Sequence, residues 1–147
     1  MMRDVLKKKL HDYLGANYPE VLVPLQREAG VTAFLEERVA NLEELPDQLL
    51  AEGKPVYIVE EICMDALTRD LGPSKFNYLC SVLQAEFEEV YYQWVETGTL
   101  PYEGLNLLEA CAPVFAAVGF TEESEENERL REAIIAAVRR YLEGAEE

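Results

Sequence analysis

Apolar residues recur at steps of three and four along most of the chain, which is the spacing of one face of an α-helix. The clearest case runs over residues 72–97, where one stripe contains Phe76, Leu79, Cys80, Leu83, Phe87, Val90, Tyr91 and Trp94. Tyr78, Val82 and Tyr92 fall on roughly the opposite face of this predicted helix. A helix with two apolar faces lies centrally in a bundle or buries one face in a partner. The second face is therefore predicted to pack under another helix of the chain or, if exposed, to form a candidate interaction surface with Glu89.

The same spacing predicts about six helices and no convincing strand. The stretch 17–30 contains two prolines and is predicted to be a loop or a short turn of helix. Proline removes a backbone donor, so Pro46 should kink or restart its helix, and the apolar phase shared on both sides of it favours a kinked but continuous helix. Pro113 should kink or split its own helix. We predict an all-α, single-domain irregular bundle over residues 1–147, with helices at about 3–14, 32–53, 55–72, 72–97, 102–118 and from 121 onward.

Acidic residues dominate the charge. The chain of 147 residues has 13 Lys and Arg against 29 Asp and Glu, which gives a net charge of −16. This charge opposes binding to phosphate backbones and to anionic membranes. No run of 18 apolar residues occurs and the N-terminus lacks the apolar core of a secretory signal. We expect neither direct nucleic-acid binding nor a membrane role.

The residues that usually carry chemistry are few. Cys63, Cys80 and Cys111 are an odd number of isolated cysteines without a CxxC motif, which is typical of reduced thiols in a cytoplasmic protein. The one histidine, His11, has no partner motif. A ferritin-type di-iron site needs two Glu-x-x-His motifs, and Glu86-Phe-Glu-Glu89 has none. We predict no catalytic residue, cofactor or metal.

Two charged residues interrupt apolar arcs. Arg38 falls inside the arc of the second predicted helix, and Glu60 falls inside that of the third. Each long side chain can cover apolar surface while its charged group stays in water. The sharper hypothesis is a semi-buried Arg38–Glu60 pair that fixes how the two helices dock.

Four segments resemble a family of short all-helical bacterial proteins of unknown function, best represented in gut anaerobes. They are Asn17-Tyr-Pro-Glu-Val-Leu22, Leu71-Gly-Pro-Ser-Lys-Phe-Asn-Tyr-Leu79, Gln84-Ala-Glu-Phe87 and Leu107-Leu-Glu-Ala-Cys-Ala-Pro-Val-Phe115. The chain departs from the family at Gly72-Pro73, where His-Phe is frequent, and at Ala112, where Glu is frequent. The resemblance implies a helical fold and brings no activity, ligand or catalytic residue with it.

Three functional hypotheses follow. The leading one is an acidic cytoplasmic interaction or accessory protein that binds a protein partner. The charge favours a basic partner, and the lack of a catalytic motif disfavours an enzyme. The second is a small-molecule-binding protein or enzyme whose site between helices is lined by Tyr78, Trp94, Cys80 or Glu86. The third is a nucleic-acid mimic, with carboxylates at phosphate-like spacing. The sequence leaves the oligomeric state open, a homodimer included.

Overall fold

The computed structural model describes the backbone of residues 2–146 and the side chains of residues 2–144. This part of the chain contains α-helices and no strand, so the predicted all-α class is confirmed. Two short 3₁₀ helices, Arg69–Leu71 and Glu122–Glu126, lie between α-helices. The nine α-helices of the described residues are α1 (Met2–Asn17), α2 (Pro19–Arg27), α3 (Val31–Ala40), α4 (Leu45–Ala51), α5 (Val56–Thr68), α6 (Lys75–Glu86), α7 (Glu88–Thr97), α8 (Leu100–Val118) and α9 (Glu128–Glu146).

The prediction of about six helices is wrong because the segment predicted as a loop or a short turn of helix forms a separate helix and two predicted helices are broken. That segment is α2, which has Pro19 in its first turn, where the missing N–H of proline costs nothing. The predicted helix 32–53 separates into α3 and α4. Glu43 between them has a φ of 56°, and Pro46 lies in the first turn of α4. The structure shows a restart near Pro46, so the favoured prediction of a kinked but continuous helix is wrong.

The predicted helix 72–97 is broken at one residue, Phe87. Its backbone has φ −138° and ψ 48°, outside the helical region, while it ends α6 and begins α7. The N–H of Phe87 still donates to the Leu83 carbonyl (2.8 Å), and the Phe87 carbonyl accepts from the N–H of Tyr91 (3.0 Å). The break therefore ends one helix and begins the next, while Phe87 itself keeps one hydrogen bond to each of them.

Of the kink or split expected at Pro113, the split does not occur, since helix α8 continues to Val118. The expectation about Thr121 needs correction. Thr121 caps the 3₁₀ helix Glu122–Glu126 rather than the last α-helix, and Ser124 completes a capping box with it. Helix α9 begins at Glu128, where the Asn127 side chain accepts a hydrogen bond from the Leu130 N–H.

The described residues divide into two compact units, Met1–Gly72 and Pro73–Glu147. In the N-terminal unit, α1 packs against α2, α3 and α5, and α4 packs against α5. Its core contains Leu6, Leu10, Leu14, Leu35, Val39, Leu49, Val59, Cys63 and Leu67. Whether the whole chain folds as one domain stays a prediction.

In the C-terminal unit, α8 is the central element and packs against α6, α7 and α9. All three neighbours contribute apolar side chains to one cluster, although α7 contributes only partly buried ones. The fully buried members are Tyr78, Leu79, Val82, Leu83, Leu107, Cys111, Phe115, Leu130, Ile134 and Val138.

The close approach of α6 and α8 requires glycine at position 104. A Cβ atom at Gly104 would lie 2.7 Å from Cε2 of the Phe76 ring, and that ring is 5% exposed. Atoms at this distance overlap, and a buried ring has little space in which to move. Gly104 thus sets the separation of the two helices.

We predict that Gly104→Ala lowers the free energy of unfolding by about 1–3 kcal/mol, because overpacking outweighs the gain in helix propensity. The matched control is Gly144→Ala in α9, where a Cβ meets no atom within 4 Å. That substitution should be neutral or stabilising by up to about 1 kcal/mol. Urea unfolding followed by circular dichroism measures both. A Gly104→Ala protein as stable as wild type would show that Phe76 does not hold the contact.

Candidate functional site

The structure divides the predicted interaction surface between core and solvent. Tyr78 and Val82 are 5% and 0% exposed and belong to the core of the C-terminal unit. Glu89 and Tyr92 are exposed, and Tyr92 is 50% accessible. The four residues would share one face of a continuous helix, but the backbone break at Phe87 redirects α7. The prediction of a single four-residue surface is therefore replaced by two separate environments.

Tyr78 packs within a cluster of aromatic rings. Its ring meets Phe115 (centroids 6.0 Å apart) and Phe120 (5.3 Å) edge to face, a favourable geometry for aromatic pairs. Its buried hydroxyl has no hydrogen-bond partner among the described protein atoms. Burial raises the pKa of Tyr78, Arg131 opposes this, and Glu125 adds to it. Tyr78 is therefore a buried structural residue of the core and not part of an exposed surface.

The solvent side of α7 is a different kind of surface. Four of its residues lie three or four positions from Tyr92 and so share a face with it: Glu88, Glu89, Val95 and Glu96. These five residues are hereafter the α7 outer face. Val95 is 47% exposed, and the three glutamates are exposed. The opposite side of the helix packs on the core. Sequence reasoning found Glu89 and Tyr92 but missed the other three, although the spacing from Tyr92 was a sufficient signal.

No basic residue lies on α7. The ring of Tyr92 meets that of Tyr91 edge to face at 5.3 Å, and Tyr91 is partly buried against the core. This contact holds one edge of the exposed ring, while three carboxylates surround it on the helix surface. The outer face therefore combines an anchored aromatic group with uniform negative charge.

The predicted Arg38–Glu60 pair is replaced by two other ion pairs. Nη1 of Arg38 donates to both carboxylate oxygens of Asp70, at 3.0 and 2.8 Å. Glu60 lies 2.7 Å from Nζ of Lys9 in α1. Arg38 and Glu60 therefore each form an ion pair with another element, but not with each other. Glu60 pairs with a residue of α1 because α5, which carries Glu60, packs on α1 and α4. The guanidinium of Arg38 also lies 5.1 Å from the centroid of the Phe34 ring.

Arg38 borders an open groove of about 480 Å³ in the N-terminal unit, hereafter the Arg38 groove. Its apolar lining comes from Leu42, Leu45, Ala66 and Leu67. Its polar lining comes from Arg38, Asn41, Arg69 and Asp70. Sequence reasoning placed a ligand site among Tyr78, Trp94, Cys80 or Glu86, all in the C-terminal unit, and none of these residues lines this groove.

The three thiols are poorly suited to nucleophilic chemistry. Burial raises the pKa of Cys80 and of Cys111 to about 11 and raises that of Cys63 as well. A raised pKa keeps each thiol protonated near neutral pH, and the thiolate is the reactive form. Over the side chains of residues 2–144, no three metal-ligating residues converge. Within the described backbone, no helix has both the length and the apolar character that a bilayer span requires.

We predict that Arg38 couples energetically to Asp70 and not to Glu60. A double-mutant cycle with Arg38→Gln and Asp70→Asn should give an interaction energy of about 0.5 kcal/mol, because Asp70 is largely exposed. The cycle with Arg38→Gln and Glu60→Gln should be additive in urea unfolding. Coupling of Arg38 to Glu60 that equals or exceeds its coupling to Asp70 would contradict this arrangement.

We predict opposite outcomes for hydroxyl removal at two tyrosines that are both 5% exposed. Tyr78→Phe should keep or raise the free energy of unfolding, because its hydroxyl is buried without a partner. Tyr18 donates to the Gly72 carbonyl, so Tyr18→Phe should cost about 1 kcal/mol at neutral pH. Urea unfolding compares the two variants, and a loss of 1 kcal/mol or more in Tyr78→Phe would reveal a hydrogen bond there.

The tyrosine comparison also depends on pH. Burial, with Tyr13 nearby, raises the pKa of Tyr18 to about 12 from an ordinary value near 10. Between these two values the unfolded chain ionises this residue while the folded chain keeps it protonated, so wild-type stability falls as the pH rises. The stability difference between wild type and Tyr18→Phe should therefore shrink from pH 10 to pH 12. A constant difference over that range would argue against a protonated, buried Tyr18.

Comparison with known proteins supports the family that the four sequence segments resemble. Neither the curated proteins nor the solved structures compared with the chain gave a match. One family model does match, over residues 5–144, and it is described as a domain of unknown function. The chain therefore belongs to the DUF1896 family, whose function is unknown.

Proposed function

We propose that the protein is an acidic helical interaction protein that binds a basic protein partner through the α7 outer face. One observation carries this proposal: Tyr92 and Val95 are about half exposed between Glu88, Glu89 and Glu96 on a helix without basic residues. Exposed aromatic groups are enriched at the centres of protein interfaces. The glutamates select against acidic partners, since like charges at an interface are costly.

The chemistry of the outer face favours arginine or lysine on the partner. A guanidinium over the exposed Tyr92 ring gains a cation–π interaction and lies within reach of a neighbouring carboxylate. Phosphate groups would be repelled by the same carboxylates, so a nucleic acid is a poor ligand. A second copy of the chain would have to bring a basic surface such as the exposed Arg139 and Arg140 of α9 to this face, because two α7 outer faces repel.

The proposed setting is a reducing compartment such as the bacterial cytoplasm. Cys63, Cys80 and Cys111 are all free in the structure. Free buried thiols are typical of intracellular proteins, whereas small secreted proteins usually pair theirs.

We predict that Tyr92→Ala weakens binding of a captured partner by about thirtyfold, the loss of about 2 kcal/mol expected for a central aromatic residue. The partner is captured from native lysate at low salt, identified, purified, and titrated against each variant by calorimetry. Tyr57→Ala is the matched control, because Tyr57 is a 63% exposed tyrosine on α5 in the N-terminal unit. It should bind as wild type does.

Charge provides the second arm of the same experiment. Affinity should fall with added salt, and Glu89→Lys should weaken binding more than Glu89→Gln. A partner that binds Tyr92→Ala and wild type equally would overturn the assignment of the site. Two results together would instead support the nucleic-acid-mimic hypothesis. The captured partner would be a basic DNA-binding protein that DNA displaces from this protein, and acidic substitutions scattered over the surface would all weaken its binding equally. Sedimentation of the purified protein alone shows whether the protein associates with itself instead of with a different partner.

A further inference from the structure

We infer that the Arg38 groove is a binding site for a small amphiphilic carboxylate, with its head group at Arg38 and Arg69 and its aliphatic body on the apolar floor. This site lies in the N-terminal unit and does not depend on the α7 outer face. Its volume of about 480 Å³ is within the range of about 300–1,000 Å³ that small-molecule sites occupy.

Arg38 is held in place by two neighbours, and part of its guanidinium group is still available to donate hydrogen bonds. Both of its hydrogen bonds to Asp70 come from Nη1, so Nη2 and Nε make none among the described residues. The Phe34 ring lies beside the guanidinium. The Arg38 side chain is 28% exposed, which leaves its edge accessible from the groove. A guanidinium fixed by two neighbours loses little further freedom when it binds a carboxylate.

Arg69 supplies a second cation at the rim. Its side chain is 76% exposed, and its contact with Asp65 is long, at 3.5 Å. The groove therefore presents two guanidinium groups against the single carboxylate of Asp70, whose two oxygens already accept from Arg38. In a protein of net charge −16, two guanidinium groups with unused donors on one groove favour an anionic head group.

The floor of the groove selects an apolar body. Leu42, Leu45, Ala66 and Leu67 line it, and Leu67 is only 4% exposed. An inorganic anion would leave these side chains in contact with water. An aliphatic chain would bury them, and each methylene group removed from water strengthens binding by up to about fourfold. The lining combines guanidinium donors with aliphatic side chains, which match a head group and a tail.

The experiment is a methyl and amide NMR titration of the full chain with octanoate. We expect saturable, one-to-one shifts centred on Leu42, Leu45 and Ala66. Three probes with related structures define the chemistry: octylammonium and 1-octanol share the tail, and butanoate shares the head group. Octanoate should bind at least tenfold more tightly than each of them.

Two variants and one control locate the site. Arg69→Gln should weaken octanoate binding by about tenfold, since it removes one charged donor from an exposed position. Ala66→Phe fills the floor and should weaken binding further, with the rest of the spectrum unchanged. Arg27→Gln removes an exposed cation of α2 outside the groove and should have no effect. The inference is overturned if octanoate shifts do not saturate, map to the C-terminal unit, survive Arg69→Gln unchanged, or are matched by octylammonium.

Discussion

The non-helical backbone of Phe87 is the constraint on which the C-terminal unit depends. A continuous helix over residues 72–97 would keep Tyr78 and Tyr92 on the same face. Because the chain turns at Phe87, α6 buries Tyr78 and Val82 in the core, while α7 packs one side on that core and presents Tyr92 to solvent. The Phe87 N–H and carbonyl both keep helical partners across the turn, so Phe87 itself stays bonded to α6 and to α7. One residue thus separates a structural aromatic face from an exposed one.

Charge is organised locally as well as in total. In the N-terminal unit, Arg38 and Lys9 each pair with a carboxylate on a different element, and such contacts at partly exposed sites contribute modestly to stability. Their larger consequence is positional, because the Arg38–Asp70 pair fixes a guanidinium at the edge of an apolar groove. On α7, by contrast, the carboxylates have no basic residue on the same helix with which to pair. An acidic protein can in this way present surfaces of contrasting chemistry.

Particular residues show how far sequence reasoning could go. The all-α class and the Pro19 helix start depend on local backbone chemistry, so the sequence contained the signals for both. Pro46 marked a restart as one of two outcomes, although the shared apolar phase favoured a continuous helix there. The interruption of the helix at Phe87 had no such signal: no proline or glycine marks it, and the apolar stripe continues through it. The Arg38–Glu60 hypothesis correctly identified two charges that interrupt apolar faces. It named the wrong partners because partner choice depends on which helices pack together.

By itself, the sequence determined the helical class and the net negative charge, because these follow from spacing along one helix and from composition. It also carried the segments that place the chain in its family. Only the tertiary structure decided which aromatic side chains are buried, which ion pairs form, and where a groove opens. These depend on the directions of helices after they break and on contacts between residues far apart in the chain, which local patterns do not encode.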